Sequence, residues 1–345
     1  METKRALTFR GNVDGKSSYY FHLENVARWF KAANYHTSVR PIVVANQNIP
    51  RGMVSLLVNQ EQPGGTEVVI HDPTFDAVAD STLDVCYVTM WESTALPAGA
   101  VDNLNKAKVV VVPSEWQAGL FAAQGVVAPI EVVPMGVDPA RFPFEYHERP
   151  AKAFTFGVAG NFAVGGCRKN VGTVIDAFEA LQKNTDREIR LVIKVYPDDK
   201  LPEIQNTSIE VVQKFVSKQE IANFYRQIDC FVSATRGEGW GLMQHEAMLS
   251  GVPVIAPTFG GLGSFLDSST GYPVAYGLVR AAERYADCGM WADPNPFDLL
   301  SQMQQVLHGK DTYSRVRAAR ARAEQLSWDN SNCLLEDVLT QYDFI

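Results

Sequence analysis

Short apolar runs recur along the chain, bounded by glycine, proline and polar clusters. Several of the stretches between them space their apolar residues as helices do. Runs at residues 5–10, 36–42, 53–58, 67–71 and 84–90 read as strands, with a helix over 19–33. Pro113 and Ser114 mark a strand-to-helix junction, because Ser114 and Gln117 have capping-box spacing. A second series opens with a strand over 154–160, a helix over 171–182 and a strand over 189–196. Ser217 and Glu220 form a second capping pair, which starts a helix that runs to Ile228. A strand at 230–235, a helix at 242–250 and a strand at 254–256 follow, and the tail adds helices near 297–307, through 323, and at 332–342. Strands alternating with helices predict an α/β fold with mostly parallel sheets. Residues 139–151, with three prolines, read as a linker between the two series.

Composition narrows the class. A chain of 345 residues is long enough for two domains, and 46% hydrophobic with 20% charged positions is ordinary for a globular protein. The net charge is −8 and no basic block stands out, which argues against nucleic acid as a partner. The N-terminal METKRALTFRG carries no apolar signal region, and no stretch reaches the length of a membrane span. A cytoplasmic protein without a transmembrane segment is expected. Cys86, Cys167, Cys230, Cys288 and Cys333 are scattered and lack Cys-x-x-Cys spacing, so they read as free thiols.

The candidate chemistry concentrates in residues 230–267. After the apolar run comes Arg236-Gly237-Glu238-Gly239-Trp240-Gly241, and then a helix. Gly251 can end that helix in a left-handed conformation, and Pro253 prevents its return. The whole reads as a βαβ unit with its loop at the carboxyl end of the first strand, where open α/β sheets bind ligands. Glycines let backbone N–H groups approach an anion, and the helix offers about half a positive charge at its N-terminus. Glu246, eight residues after Glu238, shares a helix face with Leu242 and Met243 and points back toward the loop. A carboxylate there can accept hydrogen bonds from both hydroxyls of a ribose. Glu238 would stand beside the phosphates, able to take a sugar hydroxyl.

This Glu-x7-Glu pattern, with Gly-aromatic-Gly-Leu after the first Glu and Glu-Ala-Met before Gly-x-Pro-Val, resembles the family 4 retaining glycosyltransferases of the GT-B fold. Tyr87 to Ser93, Leu96-Pro97, Val112 to Trp116 and Val133 to Asp138 are similar to the N-terminal half of the same enzymes. The resemblance implies two Rossmann-like domains facing each other. An acceptor-side domain would span 1–145 and a nucleotide-sugar-binding domain 146–328, with a helix at 329–345 packing back on the first. The implied reaction moves a hexosyl-type sugar from a nucleotide-diphosphate sugar, GDP- or UDP-linked, to a saccharide or other hydroxyl acceptor, with retention at the anomeric carbon. No Asp-x-Asp metal site is evident, so metal-independent transfer without a cofactor is expected.

Carried onto this chain, the resemblance makes Glu246, Gly239, Trp240, Gly241, Leu242, Asn161 and Gly15 the donor-binding set, and Glu238, Lys169, Arg168 and Glu92 the catalytic candidates. There are two departures. Family members commonly carry an arginine after the glycine that ends the first strand of the second domain, where this chain reads Gly160-Asn161. Arg168 is expected to supply that charge to the leaving diphosphate, with Asn161 giving at most a neutral hydrogen bond. Two adjacent cations at a helix N-terminus oppose its dipole, which suggests a bound anion. Many members also place a histidine in the cleft after the strand equivalent to 84–90. Here the chain reads Met90-Trp91-Glu92, and Glu92 is the substitute candidate. Gly15 is expected to face the cleft on the donor side, with Lys16 and His71 as acceptor-side candidates. Gly11-xxx-Gly15-Lys16-Ser17 is one residue short of a Walker A loop, which makes a nucleoside-triphosphatase the first alternative. The second is a non-catalytic nucleotide-sugar binder.

Overall fold

A computed structural model describes residues 6–15, 17–44, 51–57, 65–76, 81, 83–146, 153–160, 166–199, 201, 203–214, 220–309 and 312–345. Its contacts fall into two compact units. The first comprises Met1–Trp91, Ala95–Gly136 and Leu326–Ile345, and the second Glu92–Thr94 and Val137–Gln325.

The first unit opens with β1 (Ala6–Val13), α1 (Ser18–Ala32), β2 (His36–Val44), α2 (Arg51–Leu57), β3 (Thr66–Ile70) and β4 (Val85–Val88). Next come α3 (Ala100–Leu104), β5 (Val109–Val112), α4 (Glu115–Ala123) and β6 (Ile130–Val132). All six strands run parallel, in the order β2-β1-β3-β4-β5-β6. Every residue of β3, β4 and β5 is buried, as valine-rich runs are when both sheet faces are covered. Ser17 starts α1, its hydroxyl accepting from the Tyr20 amide, and the helix buries Leu23, Val26, Ala27 and Phe30. Ser114 caps α4 in the same way from the Gln117 amide, but the Gln117 side chain turns elsewhere and accepts from the Trp91 amide at 2.9 Å.

Two expectations are corrected here. Residues 53–57, expected in a strand, lie in helix α2, with Met53 and Leu56 buried three positions apart on one helix face. A six-residue apolar run suits a strand and a buried helix equally. Gly11 belongs to β1 rather than to a phosphate loop, pairing with Pro41 and Ile70. A Cβ there would stand 2.8 Å from the Ile70 carbonyl oxygen, so close strand packing accounts for this glycine. Lys16 lies outside the described residues.

The second unit contains β7 (Phe154–Ala159), the one-turn α5 (Gly166–Lys169), α6 (Val171–Lys183), β8 (Ile189–Val195), β9 (Ile209–Gln213) and α7 (Ile221–Arg226). It continues with β10 (Cys230–Val232), α8 (Leu242–Leu249), β11 (Val254–Ala256) and β12 (Tyr272–Pro273). These strands form a second parallel sheet, in the order β12-β11-β10-β7-β8-β9. β13 (Tyr276–Arg280) and β14 (Met290–Pro294) make a separate antiparallel pair, followed by α9 (Pro296–His308) and α10 (Thr312–Gln325). Ser217 of the second capping pair lies outside the described residues. The segment read as a linker enters this unit: Phe142 is fully buried, its ring 5.9 Å from that of Tyr225. β7 has β8 on one side and β10 on the other, so the sheet reverses its order there and opens a crevice at the strands' carboxyl ends.

The chain then returns to the first unit. α11 (Trp328–Gln341) begins on Ser327, whose hydroxyl accepts from the Asn330 amide. Its Leu335, Val338 and Leu339, with Phe344 beyond, join the core made by Leu7, Phe9, Leu23 and Val68. No helix among the described residues is long and apolar enough to cross a membrane.

Candidate functional site

The crevice beside β10 is lined by the loop 236–241, and tight packing shapes that loop. A Cβ on Gly237 would stand 2.1 Å from the Glu92 carbonyl oxygen, so no side chain fits there. Gly241, with φ +102°, turns the chain into α8. Glu238 forms a parallel bridge with Gly260, and the Gly261 amide donates to its carbonyl at 2.9 Å. The Glu238 residue is thereby held 7% exposed.

A carboxylate so buried needs cations. Lys169 Nζ lies 2.7 Å from its Oε1, and Arg168 Nη1 lies 3.5 Å from its Oε2. Burial pushes the Glu238 carboxyl up, but the Lys169 and Arg168 charges prevail and hold it below the usual carboxylate range. Burial pushes Lys169 down against the pull of Glu238. Arg168 also donates to the Gly237 carbonyl, and its guanidinium stands 5.9 Å from the centre of the Tyr285 ring. The Tyr285 hydroxyl donates to Glu92 Oε2 at 2.8 Å. Arg168 thus feels two carboxylates, Glu92 and Glu238.

The sequence places Arg168 and Lys169 just before a helix and calls for an outside anion. In the structure they close α5, Asn170 turns the chain with φ +51°, and the anion they face is Glu238 of the same chain. Glu92 is placed not with the acceptor-side residues but with Arg168, in the second unit. Its neighbour Thr94 is tied to β14, its amide donating to the Met290 carbonyl and its hydroxyl accepting from the Met290 amide. Asn161 lies outside the described residues.

On α8, Glu246 is half-buried and its Oε2 accepts from the Tyr225 hydroxyl at 2.8 Å. Beside it α7 contributes Phe224 to a cavity of about 170 Å³, also lined by Val212, Lys194, Lys214 and Glu220. The other face of α8 is packing. Trp240 is 2% exposed, and its indole N–H donates to His245 Nδ1 at 3.2 Å. His245 therefore carries its proton on Nε2, which donates to the Ala323 carbonyl at 3.0 Å. Burial brings the His245 pKa down to about 4. Trp240 consequently offers a donor its backbone only, as do the buried Gly239 and Gly241, while Leu242 is half-buried.

The remaining candidates belong to the first unit. Gly15 has φ +72° in the turn before α1. His71 follows β3 and its Nε2 lies 3.2 Å from Asn12 Oδ1 on β1, with the Tyr19 and Phe75 rings against it. Among the described residues no three His, Cys, Asp or Glu side chains group as metal ligands, and all five cysteines are free. Tyr225, Tyr285 and Lys194 are missed by sequence reasoning. Their roles come from partners distant in the chain.

With this geometry in place, residues 153–287 match the family described as glycosyl transferases group 1. That match contains Lys169, Arg168, Glu238, Glu246 and Tyr285. O-antigen chain mannosyltransferase B of Escherichia coli is 27% identical over 172 residues, 47% of this chain and 40% of that protein. A D-inositol 3-phosphate glycosyltransferase of Jonesia denitrificans is 27% identical over 236 residues, 62% of this chain and 51% of that protein. The chain therefore spans about half, or less, of these curated relatives. Sucrose-phosphate synthase of Thermosynechococcus elongatus superposes with a TM-score of 0.73 at 15% identity, over 98% of this chain and 99% of that one. An Anabaena protein in complex with UDP and glucose gives 0.71 at 13% identity, over 98% and 100%. These likenesses establish the GT-B fold, with a parallel six-stranded sheet in each unit.

Proposed function

We propose that this protein is a retaining glycosyltransferase of the hexosyl type, acting on a nucleotide-diphosphate sugar and a hydroxyl acceptor. The observation that carries this reading is the buried cluster that Lys169 and Arg168 of α5 form with Glu238 of the loop at the sheet's switch point. Glu246 takes the ribose hydroxyls, and Glu238 acts where sugar meets phosphate. Lys169, Arg168 and the amides of 239–242 offset the charge that develops on the leaving diphosphate. The bond from the anomeric carbon to the phosphate oxygen breaks as the acceptor oxygen bonds to the same face. The acceptor's proton passes to the departing phosphate oxygen. Cationic side chains serve the leaving group, so transfer proceeds without a divalent ion. The first unit holds the acceptor, with His71 as its contact and Gly15 turned to the donor, and the setting is cytoplasmic. The transferase names of the curated relatives, and the UDP and glucose in the Anabaena structure, support this reading. The nucleoside-triphosphatase alternative loses its motif once Gly11 lies inside β1.

A panel of UDP-, GDP-, ADP- and CDP-sugars tests the reading, because a bound donor raises the melting temperature by mass action. The donor that binds is then incubated with saccharide acceptors, with and without chelator, and the anomeric proton of the product is followed by NMR. Retained configuration in both samples is expected. An inverted product, or transfer restored only by added Mg²⁺ or Mn²⁺, would contradict the corresponding part. Failure of every nucleotide sugar to bind would reject the whole.

A further inference from the structure

Lys194 stands one residue before the end of β8, paired with Ala159 on one side and Val212 on the other. Its neighbours Ile193 and Val195 turn into the hydrophobic core, so Lys194 turns to the opposite face of the sheet. It is 5% exposed there. Even so, its Nζ has no hydrogen bond or ion pair among the described residues, and stands 4.2 Å from the centre of the Tyr196 ring. Burial pushes its pKa down, against the more distant Glu246 and Asp199 carboxylates. A buried ammonium without an acceptor is costly, and the cost is relieved when a ligand brings one.

Lys194 lines the cavity of about 170 Å³. Val212 and Phe224 give that cavity apolar walls suited to a flat ring, Lys214 adds a second donor, and the exposed Glu220 places a carboxylate at its rim. The cavity lies near Glu246, because Lys194 on its wall feels the Glu246 carboxylate. A nucleoside whose ribose is on Glu246 has its base within reach of this space.

We propose that Lys194 donates to a keto oxygen of the donor's nucleobase, with Glu220 accepting from the ring N–H beside it. The site then selects uracil or guanine over cytosine or adenine. This rests on the nucleotide-sugar reading of the same site. An ammonium is a donor only. Uracil and guanine present a keto oxygen next to a ring N–H, which matches a donor beside an acceptor. Cytosine and adenine present an amino group next to a bare ring nitrogen, which sets donor against donor and acceptor against acceptor. Sites built around such hydrogen bonds reject the mismatched analogue strongly, because their own buried groups are left unpaired.

The test titrates the full chain with UDP, CDP, GDP and ADP by calorimetry. UDP and CDP differ only along this edge, oxo beside N–H in one and amino beside a bare ring nitrogen in the other. UDP is expected to bind at least about tenfold tighter than CDP, and GDP at least about tenfold tighter than ADP. Lys194→Met keeps the side-chain length but donates nothing, and should bring both ratios to within about threefold. Lys194→Gln, whose amide can present either a donor or an acceptor, should narrow them too and serves if Lys194→Met does not fold. Equal wild-type affinities within each pair would overturn the inference while leaving the proposed function standing. So would a preference that survives both substitutions. If none of the four nucleotides binds, the inference and the proposed function fall together.

Discussion

Glu238 and Lys169 bring opposite charges to 2.7 Å with side chains only 10% and 17% exposed. Glu238→Gln leaves Lys169 buried without its carboxylate, and Lys169→Met leaves Glu238 buried with only the longer contact to Arg168. Glu238→Gln or Lys169→Met alone should therefore cost about 3–5 kcal/mol, and the double variant clearly less than the sum. Urea unfolding of the four proteins measures this; simple additivity would show that the two groups are not coupled. The pH dependence carries a sign. Glu238 titrates below its unfolded value, so its stabilisation is complete above the ordinary carboxylate range and is lost as pH falls through its lowered pKa. Buried His22 and His245 act in the same direction by another cause. Burial brings each to about 4, so the fold favours their neutral forms. Stability should fall from about pH 6.5 downward, by on the order of 3 kcal/mol for each histidine near pH 4. His245→Phe should remove about half of that fall, and an unchanged curve would count against the assignment. At this scale loop and helix spacing singles out Glu238 and Glu246 and the resemblance singles out Lys169, which the structure brings to 2.7 Å from Glu238. The contact of Glu92 with Tyr285 spans 193 positions, and no local pattern joins them.

Among the elements, α8 depends most on one residue at its start. A Cβ on Gly241 would stand 2.3 Å from Leu262 Cδ2, and the backbone there has φ +102°. Gly241→Ala should cost about 1–3 kcal/mol in backbone strain alone, and more as Leu262 is displaced. Gly172 in α6 is the contrast, since nothing lies within 4 Å of a Cβ added there. Gly172→Ala should stabilise by about 0.5–1 kcal/mol. Melting curves of the two variants should move in opposite directions, and a common direction would refute the steric account. Long elements with a clear period, such as α1 and α6, are legible because burial follows the 3.6-residue repeat. β9 is not legible, because as the edge strand of its sheet it leaves most of its residues at least partly exposed and shows no buried face. α2 is too short for its period to declare itself.

For the whole molecule, the alternation of strands and helices is enough to indicate two α/β units, whereas the destination of α11 is not written in its own pattern. An amphipathic helix shows that it covers something, not which sheet it covers. Here it covers the first unit, with Leu335, Val338 and Leu339 in that core. A chain ending at residue 325 should therefore lose amide-exchange protection in β1 and β3 and keep it in β7, β8 and β10. Equal loss in both sheets would show that α11 supports more than the unit it packs on.

That returning helix also sets an order of assembly during synthesis. Strands β1 to β6 leave the ribosome first, but the helix that finishes their core follows residue 325. At about 5–20 residues per second, the N-terminal sheet waits roughly 10–40 seconds for the 190 or so residues between β6 and α11 to be made. The half translated later needs nothing beyond Gln325 and can close first. A chaperone that captures the nascent chain should thus find the glycine-loop half folded while the older half still shows its unfinished apolar face.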